Sequence, residues 1–247
     1  MQSNTARKKL LFIGTGGTIA SELSEGALSP ALGVEQLLRL VPDVSRMCDA
    51  DAVQLFELDS TDIMPEHWIR IADEIIRRYD DYDGFVIAHG TDTMAYTASA
   101  LSYLIQNSRK PIVLTGAQKP IGFETTDSKQ NLSDSFLCAA SGMAGVLVVF
   151  GGQVLLGTRA RKTRSKSFSA FSSPNYPPLA TVQNGRMALY FDPTEGETHF
   201  CRSLDPSVGL LKLTPGTDTE LLHFMLGRYR ALVIESFGVG GLPDRGG

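Results

Sequence analysis

The stretch 10–20, which reads LLFIGTGGTIA, sets the fold of the N-terminal part of this chain. Four apolar residues at 10–13 run directly into three glycines interleaved with two threonines. A short apolar run that ends in glycine is typical of a strand buried on both faces of a sheet. The glycines allow the backbone to approach a small partner closely, and Thr18 follows two of them with little side-chain bulk around its hydroxyl.

Four more short apolar runs repeat this pattern along the first 150 residues. They are AVQLFEL at 52–58, GFVIAHG at 84–90, PIVLTG at 111–116 and GVLVVFGG at 145–152. Segments with helical periodicity separate them, at 65–80, 92–106 and, more weakly, 127–142. Buried strands that alternate with helices predict an α/β fold, with a large N-terminal, mostly parallel sheet that carries helices on both faces.

The pattern changes after residue 152. A proline-rich loop at 172–179 and a connector at 191–208 precede a strand at 209–213, a helix at 217–228 and a strand at 231–238. Because two strands and one helix bury little core by themselves, we expect this smaller α/β domain to be incomplete. The predicted organisation is an N-terminal domain at 1–190, a linker at 191–208 and the start of a truncated C-terminal domain at 209–247.

Composition excludes several classes of function. The net charge of −4 and the absence of a long basic run argue against a nucleic-acid partner. The short polar N-terminus, followed by only a brief apolar run, predicts neither a signal peptide nor a membrane partner. Cys48, Cys138 and Cys201 are widely spaced and odd in number, which predicts reduced thiols and a cytoplasmic location. Since His, Cys and carboxylates do not cluster, we expect no metal site.

Three polar clusters follow predicted strands, and parallel sheets bind ligands beyond the carboxyl ends of their strands. The clusters are TGGT at 15–18, LDSTD at 58–62 and HGTDT at 89–93. Asp92 can hold an ammonium group, Thr91 supplies a second hydroxyl, and Ser60 with its neighbouring amides can bind a carboxylate. A fourth segment, GTRARKTRSKSFSAF at 157–171, is basic. A lysine buried there near two threonines can become a base, because burial lowers the pKa of a lysine.

Each cluster also has a purely structural interpretation, and the residues alone leave it open. The glycines can form a simple turn; a dinucleotide fingerprint is disfavoured because Ile19 occupies the third glycine position. A P-loop is excluded because no Gly-Lys-Ser/Thr follows. Thr91, Asp92 or Thr93 can cap the helix predicted at 92–106, and the cluster around Ser60 can cap the helix predicted at 65–80.

Four segments together resemble the bacterial and archaeal L-asparaginases, and most nearly their cytosolic type I branch. They are TGGTIA at 15–20, DGFVIAHGTDTMAYTASALSY at 83–103, TGAQKP at 115–120 and GTRARKTRSKSFSAF at 157–171. The resemblance implies an amidohydrolase that converts L-asparagine to L-aspartate and ammonia through a threonine acyl-enzyme, without a cofactor. It also implies that the complete chain forms a homodimer or homotetramer.

The resemblance implies a role for individual residues. Thr18 is the nucleophile that attacks the side-chain amide carbon. In a second group, Lys162 takes a proton through Thr91, and Asp92 holds the substrate's α-ammonium. Ser60 grips the α-carboxylate with help from its neighbour Thr61. Backbone groups at three further positions line the pocket: Gly17, Gly90 and Ala117.

Two features depart from the family pattern. The family places a tyrosine on a mobile loop shortly after the nucleophile, whereas SELSEGALSPALG at 21–33 contains none, and its best-matching positions are near Ala27 and Leu28. Relatives also continue beyond this chain to complete the small C-terminal domain, which meets a neighbouring subunit's site. We therefore expect an incomplete chain.

Two alternatives to a working asparaginase follow from these observations. The chain can be a catalytically weak fragment that still binds asparagine or aspartate, because its lid and small domain are incomplete. It can also be the ammonia-producing subunit of a tRNA-dependent amidotransferase, which resembles it in both threonine motifs. Such subunits carry a further domain before the first strand, whereas only about eight residues precede it in this sequence. We therefore expect that the chain is not such a subunit.

Overall fold

The computed structural model describes residues 7–24, 27–30, 32–192 and 196–244. The chain divides into two compact units, Met1–Arg202 and Ser203–Gly247. The division falls within the predicted linker 191–208, of which residues 193–195 lie outside the described part. The outer ends of the predicted domains, 1–6 and 245–247, also lie outside it, and the domain assignment stays a prediction.

The elements of the first unit are numbered in chain order over the described residues. The strands are β1 Lys9–Gly16, β2 Ser21–Ser24, β3 Ala27–Pro30, β4 Asp49–Leu58, β5 Gly84–Ala88, β6 Ile105–Gln106, β7 Pro111–Thr115, β8 Gly145–Phe150, β9 Gln153–Leu156, β10 Arg161–Lys162, β11 Phe171–Ser172, β12 Ala180–Gln183, β13 Arg186–Leu189 and β14 His199–Phe200. The α-helices are α1 Val34–Arg39, α2 Val44–Met47, α3 Pro65–Arg77, α4 Met94–Leu104 and α5 Ser128–Ser141.

A central sheet of eight described strands has the order β13-β12-β9-β8-β7-β5-β1-β4. The five strands from β4 to β8 in this order pair in parallel, and β9, β12 and β13 extend the sheet antiparallel. Every residue of β5, β7 and β8 is buried. Continuous apolar runs are needed there because helices cover both faces of the parallel part. The predicted fold class is therefore confirmed.

The antiparallel extension is the part of the sheet that the sequence does not predict. The strand predicted at 145–152 ends at Phe150, and Gly151 and Gly152, both at positive φ, turn the chain into β9. A similar turn at Asn184 and Gly185, also at positive φ, joins β12 to β13. Two-residue hairpin turns favour glycine and asparagine because few other residues adopt positive φ.

The three predicted helices are present with shorter bounds. α1, α2 and α5 pack on one face of the sheet, where the rings of Phe12 and Phe136 meet edge to face with centroids 5.4 Å apart. α3 and α4 pack together on the other face.

No helix in the described ranges is long and apolar enough to cross a membrane. α4 begins at Met94 with Thr93, one of the three candidate caps, at its N-cap position and without a side-chain cap hydrogen bond. The interpretation of Thr91 or Asp92 as the cap is wrong.

The unit Ser203–Gly247 contains β15 Val208–Lys212, α6 Thr219–Arg228 and β16 Ala231–Glu235 among its described residues. The two strands pair in parallel. Its buried apolar side chains in the described part are Leu211 and Met225, whereas Leu210, Phe224 and Val233 are exposed. As expected from the element count, this unit buries little apolar surface.

Candidate active site

Four loops meet at the carboxyl edge of the parallel strands, following β1, β4, β5 and β7. Parallel strands end at the same edge, so these loops lie side by side. The Gly17 N–H donates to the Leu58 carbonyl with an N···O distance of 3.1 Å, and the His89 N–H donates to the Thr115 carbonyl at 2.8 Å. These backbone bonds link the end of β1 to the end of β4, and the end of β5 to the end of β7.

Two glycines allow the first three loops to pack without intervening side chains. Gly17 has φ +87°, and a Cβ placed on it would lie 2.4 Å from the Gly90 nitrogen. A Cβ placed on Gly90 would lie 2.6 Å from the Cβ of Ser60. No side chain fits at either glycine. The residues that follow them, Thr18 and Thr91, are therefore carried on touching segments of backbone.

Thr18 starts a short 3-10 helix, Thr18–Ala20, immediately after Gly17. The residue is half-buried, and its hydroxyl has no hydrogen-bond partner in the described part of the chain. The hydroxyl of Thr15, by contrast, is buried and donates to the Ala88 carbonyl at 2.9 Å. Of the two threonines in the opening motif, the hydroxyl of Thr15 is engaged by the backbone and that of Thr18 is unengaged among the described residues.

The hairpin β2–β3 follows this 3-10 helix directly. Its strands pair antiparallel, with Leu23 opposite Leu28 and Ser24 opposite Ala27. Ala27 and Leu28, the positions nearest the family's tyrosine, therefore lie in β3 of a hairpin adjoining the Thr18 loop.

Lys162 joins the loop after β5 to the basic segment. Its Nζ donates to Thr91 Oγ1 and to Asp92 Oδ1, each at 2.7 Å. Thr91 is buried, while the side chains of Lys162 and Asp92 are 15% and 61% exposed. The lysine thus lies beside one threonine and one carboxylate rather than two threonines. An amine in contact with a hydroxyl can exchange a proton with it, and an exposed carboxylate can bind a cation.

Ser60 ties the loop after β4 to the loop after β5. Its Oγ accepts a hydrogen bond from the Asp92 N–H at 3.3 Å, and its carbonyl accepts one from Thr93 Oγ1 at 2.6 Å. Because Oγ acts here as an acceptor, its own proton stays available for a ligand. Ser60 is buried, which holds this hydroxyl in place.

Thr61 has different surroundings from Ser60. It is exposed, and both its N–H and its hydroxyl donate to Asp59 Oδ1 at 2.8 Å. Asp59 is the N-cap of the 3-10 helix Ser60–Asp62, whereas the N-cap of α3 is Met64, whose N–H donates to His67 Nδ1. The polar cluster at 58–62 therefore caps the 3-10 helix and not the helix predicted at 65–80.

Ala117 is buried and follows β7 through Gly116. The N-terminal turns of α5 hold its loop in place. Asn131 Nδ2 donates to the Gly116 carbonyl at 2.9 Å, and the Gln118 N–H donates to Asp127 Oδ2 at 2.9 Å. A Cβ placed on Gly116 would lie 2.2 Å from the His89 carbonyl oxygen, so this loop packs against the loop after β5.

His89 is a residue of the site for which the sequence predicts no role. It is fully buried; its Nδ1 lies 2.7 Å from the Gly90 carbonyl, and its Nε2 lies 2.9 Å from Thr97 Oγ1. Since a carbonyl only accepts, Nδ1 carries the proton and Nε2 accepts from the Thr97 hydroxyl. Trp68 Nε1 donates to the same Thr97 oxygen at 2.9 Å. Burial lowers the pKa of His89 to about 4, so the ring is neutral at pH 7.

A cavity of about 580 Å³ opens beside Asp92 and Lys162. Its other walls include Tyr96 and Ser99 of α4 and residues 158–161. This volume accommodates a small ligand. Across the described residues, no group of His, Cys, Asp and Glu side chains is arranged to hold a metal ion.

Contacts among these loops connect most of the predicted site residues into one continuous group, in which Thr18 and Ala117 are joined through their chain neighbours Gly17 and Gly116. Its members are Gly17, Thr18, Ser60, Gly90, Thr91, Asp92, Ala117 and Lys162. Thr61 stands apart because its side chain contacts Asp59. The group places a half-buried hydroxyl, a lysine–threonine contact and an exposed carboxylate at one sheet edge.

Known proteins match both the sequence and the structure. Residues 9–195 match the family model for the asparaginase N-terminal domain. The L-asparaginase of Thermococcus kodakarensis is 40% identical over 242 residues, which are 96% of this chain and 74% of that protein. Its solved structure gives a TM-score of 0.89. The crystal structure of L-asparaginase I from Vibrio cholerae is 34% identical, covers 97% of this chain and 75% of that one, and gives 0.85.

A second kind of relative is similar over the same region. A glutamyl-tRNA(Gln) amidotransferase subunit of Pyrococcus abyssi is 36% identical over 252 residues, which are 96% of this chain but 58% of that protein. This chain thus spans less than two thirds of the amidotransferase subunit and about three quarters of the Thermococcus L-asparaginase. The family model and the identity to the Thermococcus protein lead to the same assignment. The chain belongs to the asparaginase family.

Proposed function

We propose that this chain is an amidohydrolase of the L-asparaginase type, which hydrolyses L-asparagine to L-aspartate and ammonia. The observation that carries the proposal is the contact of Lys162 Nζ with both Thr91 Oγ1 and Asp92 Oδ1 at 2.7 Å, next to the loop that bears Thr18. Similarity to two proteins named L-asparaginase supports the substrate class.

The proposed reaction proceeds through an ester on Thr18. Its hydroxyl oxygen attacks the side-chain amide carbon of asparagine as the hydroxyl proton is removed. The amide nitrogen gains a proton and leaves as ammonia, so the carbonyl carbon stays bonded to Thr18. Water then hydrolyses the ester to give aspartate and the free threonine. Backbone N–H groups of the glycine-rich loops stabilise the oxyanion, each by about 3 kcal/mol.

Lys162 and Thr91 move the proton in this proposal. Lys162 accepts a proton through the Thr91 hydroxyl, with which its Nζ is already in contact. Asp92 shares one carboxylate oxygen with Lys162 and offers the other to the substrate's α-ammonium. The chain thereby holds base and binding carboxylate in one hydrogen-bonded group.

Ser60 binds the α-carboxylate of the substrate in this proposal. Its Oγ already accepts from the Asp92 N–H, so its free proton donates to the ligand. Thr61 contributes only if it releases Asp59, since both of its donors are engaged there. Gly17, Gly90 and Ala117 line the pocket through their backbone.

Ammonia release from L-asparagine tests the proposal. We expect Thr18→Ala to lower kcat by roughly 10³-fold or more, while Thr18→Ser, which keeps a hydroxyl, retains measurable turnover. Acid quenching followed by digestion and mass spectrometry should place the acyl adduct on the peptide that contains Thr18. Equal ammonia release by the alanine variant, or an adduct on Thr91, contradicts the assignment of the nucleophile.

The similarity to the Pyrococcus amidotransferase subunit favours one further candidate, an ammonia-producing subunit that serves a tRNA-linked reaction. Addition of tRNA distinguishes the two. Ammonia release from glutamine that requires tRNA supports the amidotransferase role, and release from asparagine that is indifferent to tRNA supports the asparaginase.

The remaining candidate is a catalytically weak chain that still binds asparagine or aspartate. It is favoured by the segment 21–33, which has no tyrosine where the family places one. Calorimetric titration with aspartate beside the ammonia assay separates binding from turnover. Binding without turnover, lost on Asp92→Ala, supports a binding protein.

We also propose a cytoplasmic location and, for the complete chain, a homodimer or homotetramer. Cys48 and Cys138 are free and buried, and burial raises their pKa values to about 11 and about 12, so both stay protonated thiols. Thiol counting under native and denaturing conditions and light scattering of the purified protein test these two statements.

A further inference from the structure

The hairpin β12–β13 carries the only asparagine in this sequence that a glycine follows, Asn184-Gly185. Both residues have positive φ, 52° and 68°, and they form the two-residue turn between the paired residues Gln183 and Arg186. Asparagine and glycine are favoured in such turns because they tolerate positive φ. The dipeptide is also reactive, because the backbone nitrogen of a glycine can attack the side-chain amide of the asparagine before it.

Neither reacting group of this dipeptide is held by another part of the chain. Asn184 and Gly185 are exposed, and the side-chain amide of Asn184 has no hydrogen-bond partner among the described residues. The Gly185 N–H likewise makes no hydrogen bond in the described part of the chain. A Cβ placed on Gly185 would meet no heavy atom within 4 Å beyond its chain neighbours, so the nitrogen is not crowded. The two groups are therefore free to approach each other.

The hairpin lies at one end of the central sheet, where local opening costs little. β13 is the last strand in the sheet order and pairs with β12 alone among the described strands. Three of its four residues are exposed. Elements with few buried contacts open at a small fraction of the free energy of global unfolding. The tip of the hairpin therefore samples the rotations about residue 184 that bring the Gly185 nitrogen to the side-chain carbonyl carbon.

Two other exposed asparagines, Asn107 and Asn175, also have positive φ and provide comparisons within the chain. Asn107 precedes Ser108, which is buried and whose hydroxyl is hydrogen-bonded. Asn175 precedes Tyr176, whose ring packs edge to face against another aromatic ring. In both cases the following residue carries a side chain that shields its nitrogen. Exposure and positive φ are thus shared, and the following glycine sets the third asparagine apart.

The dipeptide Asp83-Gly84 shows how the fold protects a similar sequence. The Asp83 carboxylate accepts from the Lys9 N–H at 2.8 Å. Gly84 is the first residue of β5 and is buried, and a Cβ placed on it would lie 2.7 Å from the ring of Pro111. A glycine fixed in a central strand cannot rotate toward the preceding side chain. The fold leaves only the dipeptide at 184–185 free to react among the described residues.

We propose that Asn184 is a site of spontaneous deamidation. The Gly185 nitrogen attacks the side-chain carbonyl carbon of Asn184, and the new N–C bond closes a succinimide ring. The proton of the Gly185 N–H is transferred to the side-chain amide nitrogen, whose bond to carbon breaks, and ammonia leaves. Water then opens the ring at either carbonyl, which gives aspartate or isoaspartate at this position. Each chain consumes one water and releases one ammonia, with no change of oxidation state.

The two products differ in their effect on the hairpin. Aspartate adds a negative charge at an exposed position and keeps the length of the turn. Isoaspartate routes the chain through the side-chain carbon and so adds an atom to the backbone between Gln183 and Arg186, which should weaken the pairing of β12 with β13. None of these residues belongs to the candidate active site, so the proposal is independent of the proposed function.

Peptide mapping of the aged full chain tests the proposal. The protein is kept at pH 8 and 37 °C without substrate and is then digested with trypsin at a lower pH, where the attack is slow. Cleavage after Lys166 and Arg186 leaves Asn175 and Asn184 on one peptide, so fragment ions compare the two directly. We expect Asn184 to be converted roughly tenfold faster or more, which corresponds to a barrier lower by about 1.4 kcal/mol. Part of the product should be isoaspartate.

Matched variants identify the site. Asn184→Gly removes the amide and keeps a residue suited to positive φ, and it should stop the accumulation of the acidic form on ion exchange. Asn175→Gly, the same change at the other positive φ, should leave that accumulation unchanged. A synthetic peptide of residues 180–189 in the same buffer shows that the conditions permit the reaction. An intact Asn184 when the peptide has reacted, equal conversion of Asn175, or an unchanged rate in Asn184→Gly overturns the proposal.

Discussion

At the scale of single residues, function depends on which hydroxyls and amines the fold leaves unused. Thr15 and Thr18 lie three positions apart, yet Thr15 donates to the Ala88 carbonyl and Thr18 has no partner among the described residues. Ser60 and Thr61 are adjacent, yet Thr61 is engaged by Asp59 and Ser60 keeps a proton to donate. Each pair therefore contains one engaged and one unengaged hydroxyl, and the engaged member is a control for the role proposed for the other.

Removal of the Lys162 amine should abolish most of the proposed activity. In Lys162→Met we expect kcat for ammonia release to fall by roughly 10²- to 10⁴-fold, because a positioned base is lost. Lys166→Met, the same substitution at an exposed lysine of the same basic segment, is the matched control and should stay near the parent value. A methionine variant as active as the control would remove Lys162 from the mechanism.

Ser60 and Thr61 should differ in their effect on substrate binding. Ser60→Ala loses a hydroxyl that can donate to the α-carboxylate, so we expect KM for asparagine to rise roughly tenfold. Thr61→Ala removes a hydroxyl that donates to Asp59, and KM should change by less than about threefold. Steady-state kinetics of the two variants checks this, and a larger effect at Thr61 would show that it turns to the ligand.

At the scale of elements, a series of hydrogen bonds joins α3 and α4 to the loop after β5. Trp68 on α3 donates to Thr97 on α4, Thr97 donates to His89, and His89 donates to the Gly90 carbonyl. The last bond of this series is made to the carbonyl of Gly90, the residue before Thr91. The helices thus set the orientation of the Gly90–Thr91 peptide, although neither contributes a reacting group.

Thr97→Val tests how much this series of hydrogen bonds stabilises the folded protein. Valine keeps the shape of threonine, but it leaves the Trp68 N–H without an acceptor and His89 Nε2 without a donor. We expect the free energy of unfolding to fall by about 2–4 kcal/mol, since a buried unpaired polar group costs about 1–3 kcal/mol. Urea unfolding measures it, with Ser99→Ala on the same helix as the control, whose hydroxyl makes only a 3.5 Å contact. Equal stability of both variants would contradict the network.

At the scale of the whole molecule, two buried groups give opposite dependences of stability on pH. The pKa of His89 is lowered from 6.5 to about 4, so its contribution is present above pH 6.5 and is lost as the pH falls through about 4. The pKa of Asp134 is raised from 3.8 to about 6, so its contribution is present below pH 3.8 and is lost as the pH rises through about 6. Each amounts to about 3 kcal/mol.

Asp134→Asn should therefore separate the two effects. Without the ionisable group, we expect the variant to be more stable than the parent by about 1–3 kcal/mol at pH 8, and its stability to fall more steeply between pH 6.5 and pH 4. Urea unfolding of both proteins at pH 4.5, 6 and 8 provides the test. Parallel pH profiles would mean that the Asp134 carboxyl is already compensated in the folded protein.

The elements that the sequence predicts well are those whose burial is uniform. The runs at 10–14, 84–90 and 111–116 are continuous and apolar because their strands have helices on both faces, and β1, β5 and β7 are found there. The strands β9, β12 and β13 are short and, apart from a few buried positions, partly exposed, so their pattern resembles that of loops. Their place in the sheet depends on turns at Gly151 and Asn184 and on pairing with distant strands.

By itself, the sequence determined the parallel α/β core and the polar clusters that follow its strands, because continuous burial and the need for glycine at close backbone contacts leave a local pattern. Only the tertiary structure decided which hydroxyls in those clusters stay unused, that His89 underlies the site, and that Asp134 Oδ2 lacks a partner among the described residues. Hydrogen-bond partners such as Thr15 and Ala88, or Lys162 and Thr91, are about seventy residues apart and meet only when the sheet forms.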